Sequence, residues 1–180
     1  MRVHAKHLHR LAGHIEASER AWLIIRSDMK DYILKENEQP IFRWSILNTG
    51  NTIAQLTATQ TVYELVPRAF VDELPQEPDY SLAITLNNLP LPPRDSIGYT
   101  ANLIEPPKSS ALEQLDQGTI NTIRIGQLVL LAYGYITYLD AFGNKRESRF
   151  CERYVWPSEG IANAGFRPLT DAPAAYTKYT

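Results

Sequence analysis

Residues 132–151, AYGYITYLDAFGNKRESRFC, constrain the fold more than any other stretch of the chain. Two strand-like runs flank a loop that holds Gly143-Asn144, a turn-forming pair. The pattern predicts a β-hairpin. Directly opposed residues of an antiparallel pair share a face. Pairing Ile136 with Phe150 puts both inward, and Asp140 then opposes Arg146 and Tyr138 opposes Ser148. A slip of one residue would set Asp140 against Glu147, a like-charge pair.

The rest of the chain extends this β reading. Ala21–Ser27 reads as a short buried strand. In Ile41–Asn48, Phe42, Trp44 and Ile46 alternate with Arg43 and Ser45, so the three apolar residues share an inward face. Asn48-Thr49-Gly50-Asn51-Thr52 reads as a turn. Ile53–Val66 reads as a long strand, with a bulge expected beyond Gln60, where its alternation blurs. Residues 67–107 hold eight of the twelve prolines, which limits this region to edge strands, near Leu82–Leu86 and Ser96–Ile104. Ser110 and Glu113 form a capping box and Gly118 suits a stop, which predicts a short helix over 111–117. Ile123–Leu139 and Arg146–Trp156 read as the last two strands. The expected domain is an antiparallel sandwich of about seven strands over 19–157, immunoglobulin-like in architecture, with an irregular tail over 158–180. The cysteine pair of antibody domains is absent, since Cys151 is the only cysteine.

Residues 1–18 differ in period. Leu8, Leu11, Ala12 and Ile15 fall on one side of a helix, and Arg2, Lys6, His9 and Arg10 on the other. All four histidines lie here, and residues 1–20 carry a net +2 while the chain as a whole carries −2. The segment reads as an amphipathic, stalk-like helix, separable from the sandwich. A helix solvated and packed on its own domain is the plainer alternative. With no global excess of positive charge, nucleic-acid binding is not expected. No run reaches the roughly 20 apolar residues of a spanning helix.

The chemistry-bearing residues are few. The body of the chain has no histidine, which removes Ser-His and Cys-His catalysis unless the N-terminal segment folds back. No phosphate-loop, nucleophile-elbow, zinc-protease or dinucleotide motif occurs. His4 and His7 share a helical face but lack further ligands, so no metal site and no cofactor are expected. Arg149 and Arg153 flank Cys151 on its own face, an arrangement that lowers a thiol pKa, although a buried cysteine usually acts as a small hydrophobe. Asp140, Glu147 and Glu152 suggest paired carboxylates, with an Asp140–Arg146 ion pair the simpler account. Tyr133, Tyr135, Tyr138, Tyr154 and Trp156 read as packing residues or as a ligand face. Arg43, Arg124, Arg149 and Arg153 have acidic neighbours interleaved. The candidate binding residues are Tyr138, Asp140, Arg146 and Arg149.

Three segments carry a family likeness. Ser18–Ile25, Asn48–Ala54 and Gly134–Gly143 with Arg149–Cys151 resemble a group of uncharacterised bacterial membrane-anchored proteins. That group combines a membrane helix and polar stalk with an N-x-G-x-T-x-A turn and a G-x-I-x-Y-x-D-x-F-G hairpin. The resemblance implies an architecture and no catalytic residues. This chain departs in lacking the membrane helix, so either that helix lies upstream of Met1 or this member is soluble. The expected function is a non-enzymatic interaction module, held at a membrane through its N-terminus or self-associating there, with an unknown protein partner. Basic residues after a membrane helix favour the cytoplasmic face, with the periplasm as alternative. Two other readings stand beside it. One is a small-ligand protein or enzyme using the hairpin cluster. The other is a soluble protein whose N-terminal helix docks or releases with histidine charge.

Overall fold

A computed structural model describes residues 20–178, apart from 28, 30, 75–77, 79, 81–82, 103–113 and 158–162. The expected N-terminal helix over 1–18 lies outside the described residues.

Among the described residues, eight strands form two antiparallel sheets. They are β1 (Leu23–Ser27), β2 (Ile41–Asn48), β3 (Ala54–Pro67), β4 (Ile84–Leu91), β5 (Ser96–Asn102), β6 (Leu128–Leu139), β7 (Lys145–Val155) and β8 (Gly165–Pro168). The smaller sheet runs β1-β2-β5 and the larger β4-β3-β6-β7-β8. The core between them holds Phe42, Trp44 and Ile46 from β2, as the alternation of that strand predicts, against Ile136, Tyr138, Phe150 and Tyr154. Phe42 stacks on Phe150 with ring centroids 5.5 Å apart, and Trp44 tilts over the same ring at 5.4 Å.

A second apolar cluster covers the opposite face of the larger sheet. Val129, Leu131, Tyr133 and Cys151 pack there with Val71, Leu74, Leu169 and Tyr176. Strand β6 is therefore apolar on both faces, which is why LVLLAYGYITYL reads as a continuous run rather than an alternation. The expected irregular tail contributes to this cover. Gly165–Pro168 pairs with β7, and a 3₁₀ turn at Ala174–Tyr176 seats the Tyr176 ring against Tyr133.

Three sequence expectations are corrected in register or extent. The described helix, α1, spans Gln117–Arg124; the expected helix over 111–117 lies partly outside the described residues, and of 114–117 only Gln117 is helical. Asp116 Oδ1 accepts the Thr119 N–H at 2.6 Å and caps it, so Gly118, read as a stop, lies in the first turn. The chain turns out of α1 through Gly126, whose N–H reaches Ile123 O, while Gln127 N–H reaches Thr122 O. The strand expected from Ile123 thus begins at Leu128. The bulge in β3 falls between Leu56 and Ala58, earlier than the blurred pattern suggests. Beyond it the apparent loss of alternation is burial on both faces. The expected edge strands near 82–86 and 96–104 are β4 and β5, and they lie in different sheets.

Candidate functional site

The β6–β7 hairpin closes through a three-residue loop, Ala141-Phe142-Gly143. Asp140 N–H meets Asn144 O at 3.1 Å, and Gly143, at φ +80°, donates its N–H to Asp140 O at 2.9 Å. A turn followed by a left-handed glycine is the usual form of such loops. The consequence is a register shifted by two from the expected one. Tyr138 opposes Arg146, Ile136 opposes Ser148, and Gly134 opposes Phe150. A shift of two keeps each residue on its face, so Ile136 and Phe150 still share the core. Glu147 opposes Thr137.

Asp140 organises the turn. It is 4% exposed, and its carboxylate accepts the N–H groups of Phe142 (3.0 Å) and Asn144 (2.9 Å) and the Nε–H of Arg146 (3.0 Å). Burial acts to raise its pKa. The bonds from Asn144, Arg146 and Phe142 together outweigh it and hold the carboxyl below the usual range. The expected Asp140–Arg146 ion pair is present, but along the hairpin loop rather than directly across the ladder.

The four candidate residues do not converge. Tyr138, 1% exposed, lies in the core between the sheets, and its hydroxyl reaches Ala21 O at 3.4 Å. Arg149 projects from the opposite face of β7. There its guanidinium pairs with Glu147, donates to Ala175 O at 2.6 Å and sits 5.3 Å from the Tyr80 ring centroid. Arg149 thus fastens the C-terminal turn over the outer cluster. The three carboxylates weighed as a catalytic set are also divided, Glu147 lying on the outer face and Asp140 and Glu152 on the inner side of the hairpin. Cys151 is buried, and its thiol is pushed up to about 12, by burial first and then by Glu152 and Glu64. Its flanking arginines do not activate it.

A row of polar side chains runs along the inner face of β7, and the sequence reading missed what they bind. Ser148 Oγ donates to Leu23 O at 3.0 Å. Glu152 accepts from Ser27, while its Oε2 meets no partner among the described residues. Tyr154 donates its hydroxyl to Tyr32 O at 3.0 Å and accepts the Leu34 N–H at 3.4 Å. With Tyr138, this row occupies backbone groups along the outer edge of β1 and the loop after it. The expected inward face of Phe150 already carries Ser148, Glu152 and Tyr154 at period two, so their face was legible; their backbone partners across the core had no local signal.

Asn48 is the second missed residue. It is fully buried, its Nδ2 donates to Thr52 O (2.8 Å) and Leu91 O (3.0 Å), and its Oδ1 accepts the Gly50 N–H (3.0 Å). A Cβ on Gly50 would lie 2.3 Å from Arg20 O. This accounts physically for the Asn-x-Gly-x-Thr segment.

Among the described residues no group of three His, Cys, Asp or Glu side chains is placed to hold a metal ion, and no helix is long and apolar enough to cross a membrane. Comparison with protein-family models, curated proteins and solved structures finds no match for this chain.

Proposed function

We propose that the chain is an immunoglobulin-like interaction module that acts through binding rather than catalysis, and that its N-terminal segment holds it at a membrane. The observation that carries this reading is the employment of the hairpin residues. Tyr138, Asp140, Arg146 and Arg149 each hold part of the fold, on two different faces of one sheet. The strand order supports the immunoglobulin-like part. A sheet β1-β2-β5 faces β4-β3-β6-β7, with the chain crossing between sheets after β2, β4 and β5. That is the alternation of a Greek-key sandwich, with β8 added at one edge. The tether rests on the basic, amphipathic pattern of residues 1–18 and on the family likeness.

The test is deletion of residues 1–19. The shortened chain is expected to keep its thermal midpoint within a few degrees and to leave the membrane fraction of cells. A large fall in midpoint, or unchanged membrane association, would overturn the tether.

A further inference from the structure

We infer that the end of the sandwich where the chain enters β1 is a docking surface for anionic lipid headgroups; the inference builds on the membrane reading above.

Four segments meet at this end. Register places the start of β1 beside the end of β2 (Leu23 with Asn48), the start of β3 beside the end of β4 (Ala54 with Leu91), and the end of β6 beside both β3 and the start of β7 (Leu139 with Gln55 and Lys145). Hydrogen bonds link three of the four segments. Thr49 N–H reaches Trp22 O and Arg94 N–H reaches Asn48 O, both at 2.8 Å. Residues 20–22, the loop 49–53, the turn 92–95 and the hairpin tip 141–143 therefore present one surface.

Its apolar tips are large and solvent-facing. Trp22 is 38% exposed, Ile53 47% and Phe142 50%. Phe142 stands on a rigid base, because its N–H is held by Asp140. Exposed apolar groups occur at the far end too, as Ile33, Phe70 and Ile125. Charge separates the two ends. The entry end carries Arg20, stacked 3.4 Å above the Trp22 ring, with Arg94 and Lys145, while Arg146 pairs with Asp140. Among the described residues, against these three cations stands one unpaired carboxylate, Asp95, which accepts the Ser96 N–H at 2.8 Å. The far end mixes Asp31, Glu36, Glu38 and Asp116 with Lys35, Arg68 and Arg124.

Protruding aromatic and aliphatic tips ringed by cations fit an interface of acyl chains and anionic headgroups. Residues 1–19, which carry a net +1 besides Arg20, precede the domain at this same end.

The experiment is co-sedimentation of the full chain with vesicles of phosphatidylcholine plus phosphatidylserine, against phosphatidylcholine alone. Selective binding to the anionic vesicles is expected. Replacing Arg94 and Lys145 by Gln should weaken it about fivefold per charge. Phe142→Ser with Ile53→Ser should weaken it about tenfold, while Phe142→Leu retains it. A Phe142→Trp chain should show blue-shifted emission on anionic vesicles. No binding by the full chain, or no effect of the loop substitutions with no blue shift, overturns the inference. A full chain carrying Leu8→Ser, Leu11→Ser and Ile15→Ser separates the two readings. Loss there with unaffected loop variants leaves the tether standing and removes the docking surface. Loss confined to the loop variants does the reverse. Capture of a protein through the same tips without vesicle binding also overturns the lipid assignment.

Discussion

Ser148 Oγ donates a 3.0 Å hydrogen bond to the carbonyl oxygen of Leu23 and so joins the larger sheet to the edge strand of the smaller one. An edge strand normally offers unpaired backbone groups to any other strand. Here side chains from across the core take them, and Ser148 is 1% exposed at the centre of that row. Ser148→Ala leaves the Leu23 carbonyl unpartnered, which typically costs about 1–3 kcal/mol. Urea unfolding should show that loss. A change below about 0.5 kcal/mol would mean the bond contributes nothing net.

Glu152, in the same row, should respond to pH in the opposite sense from an ordinary surface carboxylate. Burial raises its pKa in the folded state, against hydrogen bonds from Ser27 and the charge of Arg167. The folded chain then holds its proton more tightly than the unfolded chain, so stability falls as pH rises from the ordinary glutamate range, near ~4.3, through the folded value. Glu152→Gln should remove that fall. Melting curves collected from acid to neutral pH would show the variant gaining on the native chain as pH rises, and parallel curves would refute the assignment.

Asp140 should show the reverse slope. Its folded pKa is lowered, so its contribution is complete above the unfolded value, near ~3.9, and is lost as pH falls through the folded one. Asp140→Asn should cost about 1–3 kcal/mol at neutral pH, since it weakens charge-assisted bonds from two backbone N–H groups and Arg146. That cost should shrink in acid. Denaturant titrations at neutral and acidic pH would reveal a constant difference if the carboxylate charge is irrelevant.

Trp44 is buried against Phe150 and Tyr99. Trp44→Ala should destabilise the domain by about 3–5 kcal/mol through lost burial and a residual cavity. A loss under about 1 kcal/mol in equilibrium unfolding would show that the core closes around the vacancy.

Cys151 should resist alkylation in the native chain at neutral pH, because its thiol is buried and its pKa is pushed up to about 12. Labelling should become rapid in urea. Fast native labelling would place the thiol in an accessible, ionised setting that contradicts its position under Leu169 and Tyr176.

Local chemistry made much of the β architecture legible. The alternation of Phe42, Trp44 and Ile46 gave their shared inward face, since a pleated strand can bury only every second residue on one side. The hairpin was legible from Gly143 and its flanking runs, and so was the partnership of Asp140 with Arg146. Its register was not, because the pattern of faces is unchanged by a shift of two and only the backbone bonds between Asp140, Gly143 and Asn144 select one loop length. The start of α1 escaped for a related reason. Asp116, the cap of α1, is selected by the burial of Ile120 and Ile123, which only the closed fold supplies.

The sequence by itself therefore determined the strand-forming runs, the inward residues of β2 and the hairpin turn, all of which depend on contacts between chain neighbours. Tertiary structure alone decided the rest. It buried both faces of β6, set Ser148, Glu152 and Tyr154 against the edge of β1 and the loop after it, and made Asn48 a buried knot. It also divided Tyr138 and Arg149 between two faces, and gathered Trp22, Ile53 and Phe142 at one end. The bonds of Asn48 to Leu91 and of Ser148 to Leu23 join residues 43 and 125 positions apart, and their energies appear only once both sheets have closed, because a hydrogen bond or an apolar contact across the core has no counterpart in any local run of sequence.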